Sequence, residues 1–252
     1  MDKQTLEAAT VNFNLPHDVV GLPSGGIFYK SKKKSVKIGY LTANDENILA
    51  GMLQNSKDNM VLNLIRNKMY ETDLKPEELL EGDIQAILIF LRNSSFGPEY
   101  TLSVTDPKTD KEFETTFILD ELAIKKMENT PDENGLFSTT LPRSGDVVKL
   151  RLLSYHEDFE LNNSFANYPV GRVVPIITTR LIKQIESINE NTDKVFISTY
   201  VSNMPIMDSK HIRKFINDHQ PGLDLKRSVK TPSGEIVETY INFGVDFFRP
   251  FF

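Results

Sequence analysis

The residues best suited to chemistry are few and scattered. Four histidines occur, His17, His156, His211 and His219. His211 and His219 share a helical stretch, but eight residues at 3.6 per turn set them about 80° apart, off any common ligand face. There is no His-Glu-x-x-His and no acidic metal loop, so the histidines read as surface or capping residues. Carboxylate pairs stand at Asp45/Glu46 and Glu157/Asp158. Acid–base catalysis would need such a pair to converge on one reacting atom. The first pair falls where a helix begins and suits the positive end of its dipole, and a solvated loop accounts for the second. Ser24-Gly25-Gly26 lacks the spacing and the Lys-Ser/Thr of a phosphate loop. No Gly-x-Ser-x-Gly elbow occurs either. Without cysteine there is no disulfide, no thiolate-bound zinc and no thiol nucleophile. The expectation is a protein that is not an enzyme, with no catalytic residues, no cofactor and no metal site.

Composition narrows the class further. A chain of 252 residues, 39% hydrophobic and 25% charged, can bury one large core or two small ones. A formal net charge of −6 leaves no excess of cations to displace condensed counterions, which argues against a nucleic-acid partner. Lys32-Lys33-Lys34 is the one clear basic cluster, and between two short β-like runs it reads as a solvated hairpin tip. No stretch approaches the ~20 apolar residues that span a bilayer. Met1–Glu7 has no apolar signal core. A soluble protein made in a cytoplasm, without a membrane partner, is expected.

The elements that would position these residues follow from periodicity and turn chemistry. Leu22–Tyr29 is a Pro/Gly turn opening into a strand, and Ser35–Leu41 alternates as a half-buried strand. Thr42 begins a helix with Asp45 at capping-box spacing, and Asp58 opens a second with Val61, Leu62, Leu64, Ile65 and Met69 on its buried stripe. Pro76 marks a helix start. Asp83 caps Ile84–Arg92, apolar on most sides and so the central helix of this half. Tyr100–Val104 and Glu112–Leu119 form a ribbon, Asp120–Met127 a short helix and Asn129–Gly135 a polar loop. A strand over Val147–Leu153 and an amphipathic helix over Ile176–Ile188 come next. Val195–Val201 is ambiguous in type, and Asp208 caps a helix that Pro221-Gly222 stops. A second ribbon turns at Thr231-Pro232-Ser233-Gly234.

These elements come in the same order twice. Leu22-Pro-Ser-Gly matches Leu141-Pro-Arg-Ser-Gly, and Val36-Lys-Ile-Gly-Tyr-Leu-Thr42 matches Val148-Lys-Leu-Arg-Leu-Leu-Ser154. Asp83 and Val104-Thr-Asp-Pro107 match Asp208 and Val229-Lys-Thr-Pro232. The offset is 112 at the strands and 125 at both later matches, a difference of 13 that implies one insertion between them. The expected architecture is α+β, with two similar strand–helices–ribbon halves over residues 1–140 and 141–252. Each half ends in a two-stranded ribbon, at 100–119 and 223–243. Unrepeated is the terminus, Phe247-Phe248-Arg249-Pro250-Phe251-Phe252. Each buried phenylalanine is worth roughly 1.5–3 kcal/mol. Phe247, Phe248, Arg249, Phe251 and Phe252 are therefore either self-packed core or a partner-binding surface.

The first half holds Leu22-Pro-Ser-Gly-Gly with Phe28-Tyr29, Leu41-Thr-Ala-Asn-Asp-Glu-Asn-Ile-Leu49, and Arg92 before Ser95-Phe-Gly97. The second holds Met204-Pro205, Asp208-Ser209, Ile212-Arg213, Pro221-Gly-Leu-Asp224 and Phe247-Phe-Arg-Pro250. Together these stretches resemble the baseplate proteins of T-even-type, contractile-tailed phages. The resemblance implies a structural part of the baseplate hub region, or a factor that assembles it. It implies hub, wedge or tape-measure proteins as partners, with self-association left open. It implies a place in the virion tail after synthesis in the host cytoplasm. In many members, as the resemblance implies, each ribbon carries a Cys-Pro-x-Cys zinc knuckle. Here Asp106-Pro-Lys-Thr109 and Thr231-Pro-Ser-Gly234 stand in those places, and the metal role is not carried over.

Overall fold

Small antiparallel sheets and seven helices share one apolar core in the computed structural model, which describes residues 16–51, 60–169, 171–243 and 245–248. β1 (His17–Gly21) pairs with β2 (Ser35–Gly39). Then come α1 (Ala43–Gly51), α2 (Met60–Lys68), a 3-10 turn at Pro76–Glu78 and α3 (Glu81–Phe96). β3 (Glu99–Asp106) and β4 (Lys111–Ile118) form the first ribbon. β5 (Phe137–Thr140), β6 (Val147–Leu150) and β7 (Ile185–Ile188) make a three-stranded sheet with β6 central. α4 (Tyr155–Ala166) and α5 (Ile176–Gln184) lie between β6 and β7 in sequence. α6 (Lys194–Ser202) and α7 (Ile206–His219) precede the second ribbon, β8 (Lys226–Lys230) with β9 (Ile236–Tyr240). The fold is mixed α+β. Its apolar cluster runs from Val20 and Leu22 through α3 to Phe247 and Phe248.

α3 is the central helix that its composition demands, with Ile84, Ile87, Leu88, Ile89 and Leu91 all buried. Its neighbour α2 buries Leu62, Leu64 and Ile65. Ahead of α1, the amide and hydroxyl of Thr42 both donate to Asp45 Oδ2 at 2.7 Å, one side of the expected box. Asp45 also pairs with Lys68 of α2, and both side chains are buried. The expected helix opener Asp58 lies outside the described residues.

Asp83 and Asp208 differ from expectation in the same way. Each sits at the third position of its helix, in the first turn of a start that carries no side-chain cap. Each carboxyl is fully buried and reaches across to a turn, Pro23-Ser-Gly25 for Asp83 and Pro142-Arg-Ser-Gly145 for Asp208. Asp83 accepts from Ser24 N at 2.9 Å and from the Tyr29 hydroxyl. Asp208 accepts from Arg143 N at 2.7 Å and Ser144 N at 3.1 Å. A carboxylate in a first turn suits the helix dipole, and here it staples a distant turn as well. The group held by the Ser24 turn is thus the chain's own Asp83 carboxyl.

Other elements also depart from the sequence reading. The strand expected around Phe28-Tyr29 is a run of turns, and β2 pairs instead with the earlier segment His17–Gly21. Lys32 and Lys33 are not a free hairpin tip. Lys32 Nζ donates to Ile27 O and Glu133 O, both at 2.8 Å, and Lys33 pairs with Glu71 and Asp73. Asp120–Met127 holds only a 3-10 turn over Leu119–Glu121 and then runs extended to a bridge between Ile124 and Leu223. The helix expected over Ile176–Ile188 stops at Gln184. Ile185–Ile188 pairs with β6, a partner that periodicity alone does not reveal. Glu157 and Asp158 lie in the first turn of α4, not in a loop. Ser154 and Glu157 form a complete capping box there. Val195–Val201 is helical, capped by Asp193, whose side chain accepts from Val195 N at 3.0 Å.

Candidate functional site

The ribbons are built from alternation. On β3, Tyr100, Val104 and Asp106 are buried and Leu102 is half-buried, whereas Thr101, Ser103 and Thr105 are exposed. The exposed face continues on β4 through Glu112, Glu114 and Thr116, with the Thr101 and Thr116 hydroxyls 2.9 Å apart. On β8, Val229 is buried and the following Thr231 is buried at the tip. The exposed face carries Lys226, Ser228 and Lys230 opposite Tyr240, Glu238 and Ile236. One ribbon thus shows a glutamate–threonine face. The other shows lysines flanked by exposed Ile236 and Tyr240.

The tips meet through Asp106, which is 1% exposed. Its Oδ1 accepts from Ser233 Oγ at 2.8 Å and from Lys108 N at 3.0 Å, and its Oδ2 accepts from Ser233 N at 3.0 Å. The Thr231 and Ser233 hydroxyls lie 3.0 Å apart, and Glu235 N donates to Thr231 Oγ1 at 3.1 Å. Burial alone would raise the Asp106 carboxyl. The donors from Ser233, Lys108 and Thr231 outweigh it and hold the group below the usual carboxylate range. Zinc does not fit these residues. It needs four thiolate, imidazole or carboxylate donors in a tetrahedron, whereas the buried contact between the tips offers one carboxylate, already occupied by hydrogen bonds, together with hydroxyls. Among the described residues no group of three His, Cys, Asp or Glu could hold a metal ion.

The bases of the ribbons are joined as well. Lys125 N donates to Gly222 O at 2.9 Å and Asp224 N to Ala123 O at 2.8 Å, tying the exit of the first ribbon to the entry of the second. Gly82 of α3 lies against this junction. A Cβ there would fall 2.3 Å from Pro221 O, so only glycine permits the approach. At the other corner, Arg92 is 2% exposed and takes part in no ion pair among the described residues. Its guanidinium donates to three carbonyls: Phe247 O at 3.0 Å, Gly97 O at 2.7 Å and Glu99 O at 2.7 Å. It also lies over the rings of Tyr100 and Phe247, at 5.1 and 5.6 Å from their centroids.

Phe247 is therefore a core residue. It is fully buried, with ring centroids of Phe243, Phe248 and Tyr100 at 4.7, 5.2 and 5.3 Å. Phe248 is buried beside it. Two of the five terminal residues considered for docking thus pack inside this chain. Arg249, Phe251 and Phe252 lie outside the described residues.

The remaining polar candidates do not converge. Glu157 is bound by Arg151 at 2.7 and 2.9 Å, and Asp158 pairs with Arg180. His211 Nε2 lies 2.8 Å from the Thr139 hydroxyl. His219 is buried, with Nδ1 2.6 Å from Phe215 O and Nε2 2.7 Å from Asn129 Nδ2, so it braces α7 against the loop before β5. A cleft of about 360 Å³ opens between the start of α3 and α4, lined by Glu81, Tyr155, Asp158, Arg180 and Gln220. Burial first, and then the Asp158 charge, raise the Glu81 carboxyl there.

No curated protein and no solved structure matches the chain. A family model, described as T4 bacteriophage base plate protein, matches residues 27–249. That span takes in Asp83, the turn stapled by Asp208, both ribbons and the Phe247–Phe248 cluster. The chain belongs to the T4 bacteriophage base plate protein family, whose members are structural proteins of the phage baseplate.

Proposed function

We propose that this protein is a structural component of the baseplate hub region and acts by docking to neighbouring tail proteins. Membership of the family implies a place in the virion tail and contact with other baseplate proteins. The observation that carries the docking reading is the pair of ribbons. Neither is extended by a third strand among the described residues, so strand edges stay open to a neighbour. Their outer faces add exposed Ile236 and Tyr240 on one side and a glutamate–threonine face on the other. Hub, wedge or tape-measure proteins are the partners in this reading, and Arg249, Phe251 and Phe252 would extend the docking surface past the buried Phe247–Phe248 pair. The division into related halves, 1–140 and 141–252, belongs to the same proposal. It is supported by the repeated carboxylate-to-turn contact, Asp83 to Ser24 and Asp208 to Ser144.

Quantitative mass spectrometry of purified virions tests the assignment. Stoichiometric presence supports a structural part. Absence from particles whose assembly needs the protein would make it a transient assembly chaperone instead.

A further inference from the structure

We propose that Asp106 is a latch that couples the two ribbons tip to tip, so that they open and close as one arm. The simpler account of an aspartate beside a proline is a local turn residue, and Lys108 N to Asp106 Oδ1 is such a bond. It does not explain the other two. Ser233 gives both its amide and its hydroxyl to Asp106 across 127 residues of sequence. Nor does a local turn explain burial. Asp106 is 1% exposed, and Thr231, at the matching position of the other ribbon, is 3% exposed.

The charges around the latch lie outside it. Lys108, Asp110 and Lys111 of the first ribbon and Lys230 and Glu235 of the second are all exposed, and none pairs with Asp106 among the described ion pairs. The anion is held by neutral donors alone, which demand a defined geometry from both tips at once. A lone two-stranded ribbon is marginally stable in water. Here the bases are fixed by the 123–125 to 222–224 backbone bonds and by Arg92. Closing the tips makes the two ribbons a single body, with their glutamate–threonine and lysine faces fixed relative to one another. This inference stands on the ribbons' own contacts and does not depend on the baseplate partner.

Hydrogen exchange followed by mass spectrometry on the full chain tests it, with Asp106→Ala, Ser233→Ala and, as an exposed control, Thr105→Ala. The expected result is reciprocal. Asp106→Ala speeds exchange at the tip of the second ribbon on the order of tenfold. Ser233→Ala, which removes one hydroxyl, speeds the first ribbon's tip by a smaller factor, and Thr105→Ala changes neither. Faster exchange confined to the first tip in Asp106→Ala would make Asp106 a turn residue only and overturn the latch. An unchanged first ribbon in Ser233→Ala would overturn it as well, and that variant carries the test if Asp106→Ala fails to fold.

Discussion

Phe247→Ala separates a core residue from a docking residue. The ring is fully buried against Tyr100, Phe243 and Phe248, and the carbonyl of the same residue is held by Arg92. Truncating a phenylalanine in such a site costs about 3–5 kcal/mol, through lost transfer energy and the cavity left behind. Against a total stability of about 5–15 kcal/mol that is a large fraction. At roughly 2–4 °C per kcal/mol for a chain of this size, Tm should fall by about 10 °C. Thermal melts followed by circular dichroism at neutral pH measure it. Ile236→Ala, at a position 74% exposed, is the control and should stay within about 0.5 kcal/mol of wild type. A Phe247→Ala protein that melts within about 2 °C of wild type while losing partner binding would refute the core assignment.

Four further outcomes are expected. Lys68→Met leaves the buried Asp45 carboxylate without its cation and should cost about 3 kcal/mol in urea unfolding. Burial raises Asp45, but the Lys68 and Thr42 hydrogen bonds outweigh it and hold the carboxyl low. Its stabilising contribution is therefore full above the unfolded value of about 3.9 and is lost as pH falls through the folded value. Lys68→Met should remove that acid-side loss. Asp83 has the opposite sign, because burial raises its carboxyl more than the Ser24 and Tyr29 donors lower it. Its contribution is full below about 3.9 and is lost as pH rises through the folded value. Wild type should thus lose stability relative to Asp83→Asn between acid and neutral pH, and parallel profiles would contradict the assignment. Gly82→Ala drives a methyl onto the Pro221–Gly222 backbone and should destabilise by about 1–3 kcal/mol by denaturant midpoint. Elemental analysis should find no stoichiometric zinc, and a chelator should leave Tm unchanged; one zinc per chain would sink the hydrogen-bonded account of the tips.

Legibility in the sequence tracked how local the determining contacts are. Both ribbons, α3 and α7 carry their periodicity and turn residues within one stretch, and their limits fall close to expectation. Asp83 and Asp208 were visible as residues marking helix starts. A first-turn carboxylate looks the same in sequence whether it caps its own helix or staples a turn about 60 residues away. Ile185–Ile188 continues an apolar helical stripe, and its pairing with β6 overrides that pattern. The short strands β1 and β5 leave too few alternations to read. The Ser154-x-x-Glu157 box, by contrast, was available and announces α4. The tip contact could not be read at all, since neither Asp106 nor Ser233 has any local feature naming the other.

The Arg92 clamp also sets an order in time. Phe247 is 155 residues downstream of the guanidinium that holds its carbonyl. At about 5–20 residues per second of synthesis, Arg92 and Tyr100 wait roughly 8–30 s for the segment that covers them. The junction of Gly82 with Pro221–Gly222 is delayed in the same way. The surroundings of Arg92 and Tyr100 therefore cannot finish packing until residue 247 has been made. Until then the nascent chain carries an open aromatic pocket with a cation at its floor. In a cell making many tail proteins at once, closure of that pocket competes with every other apolar segment nearby. Folding of this chain is thus exposed to kinetic capture until its last aromatic residues arrive.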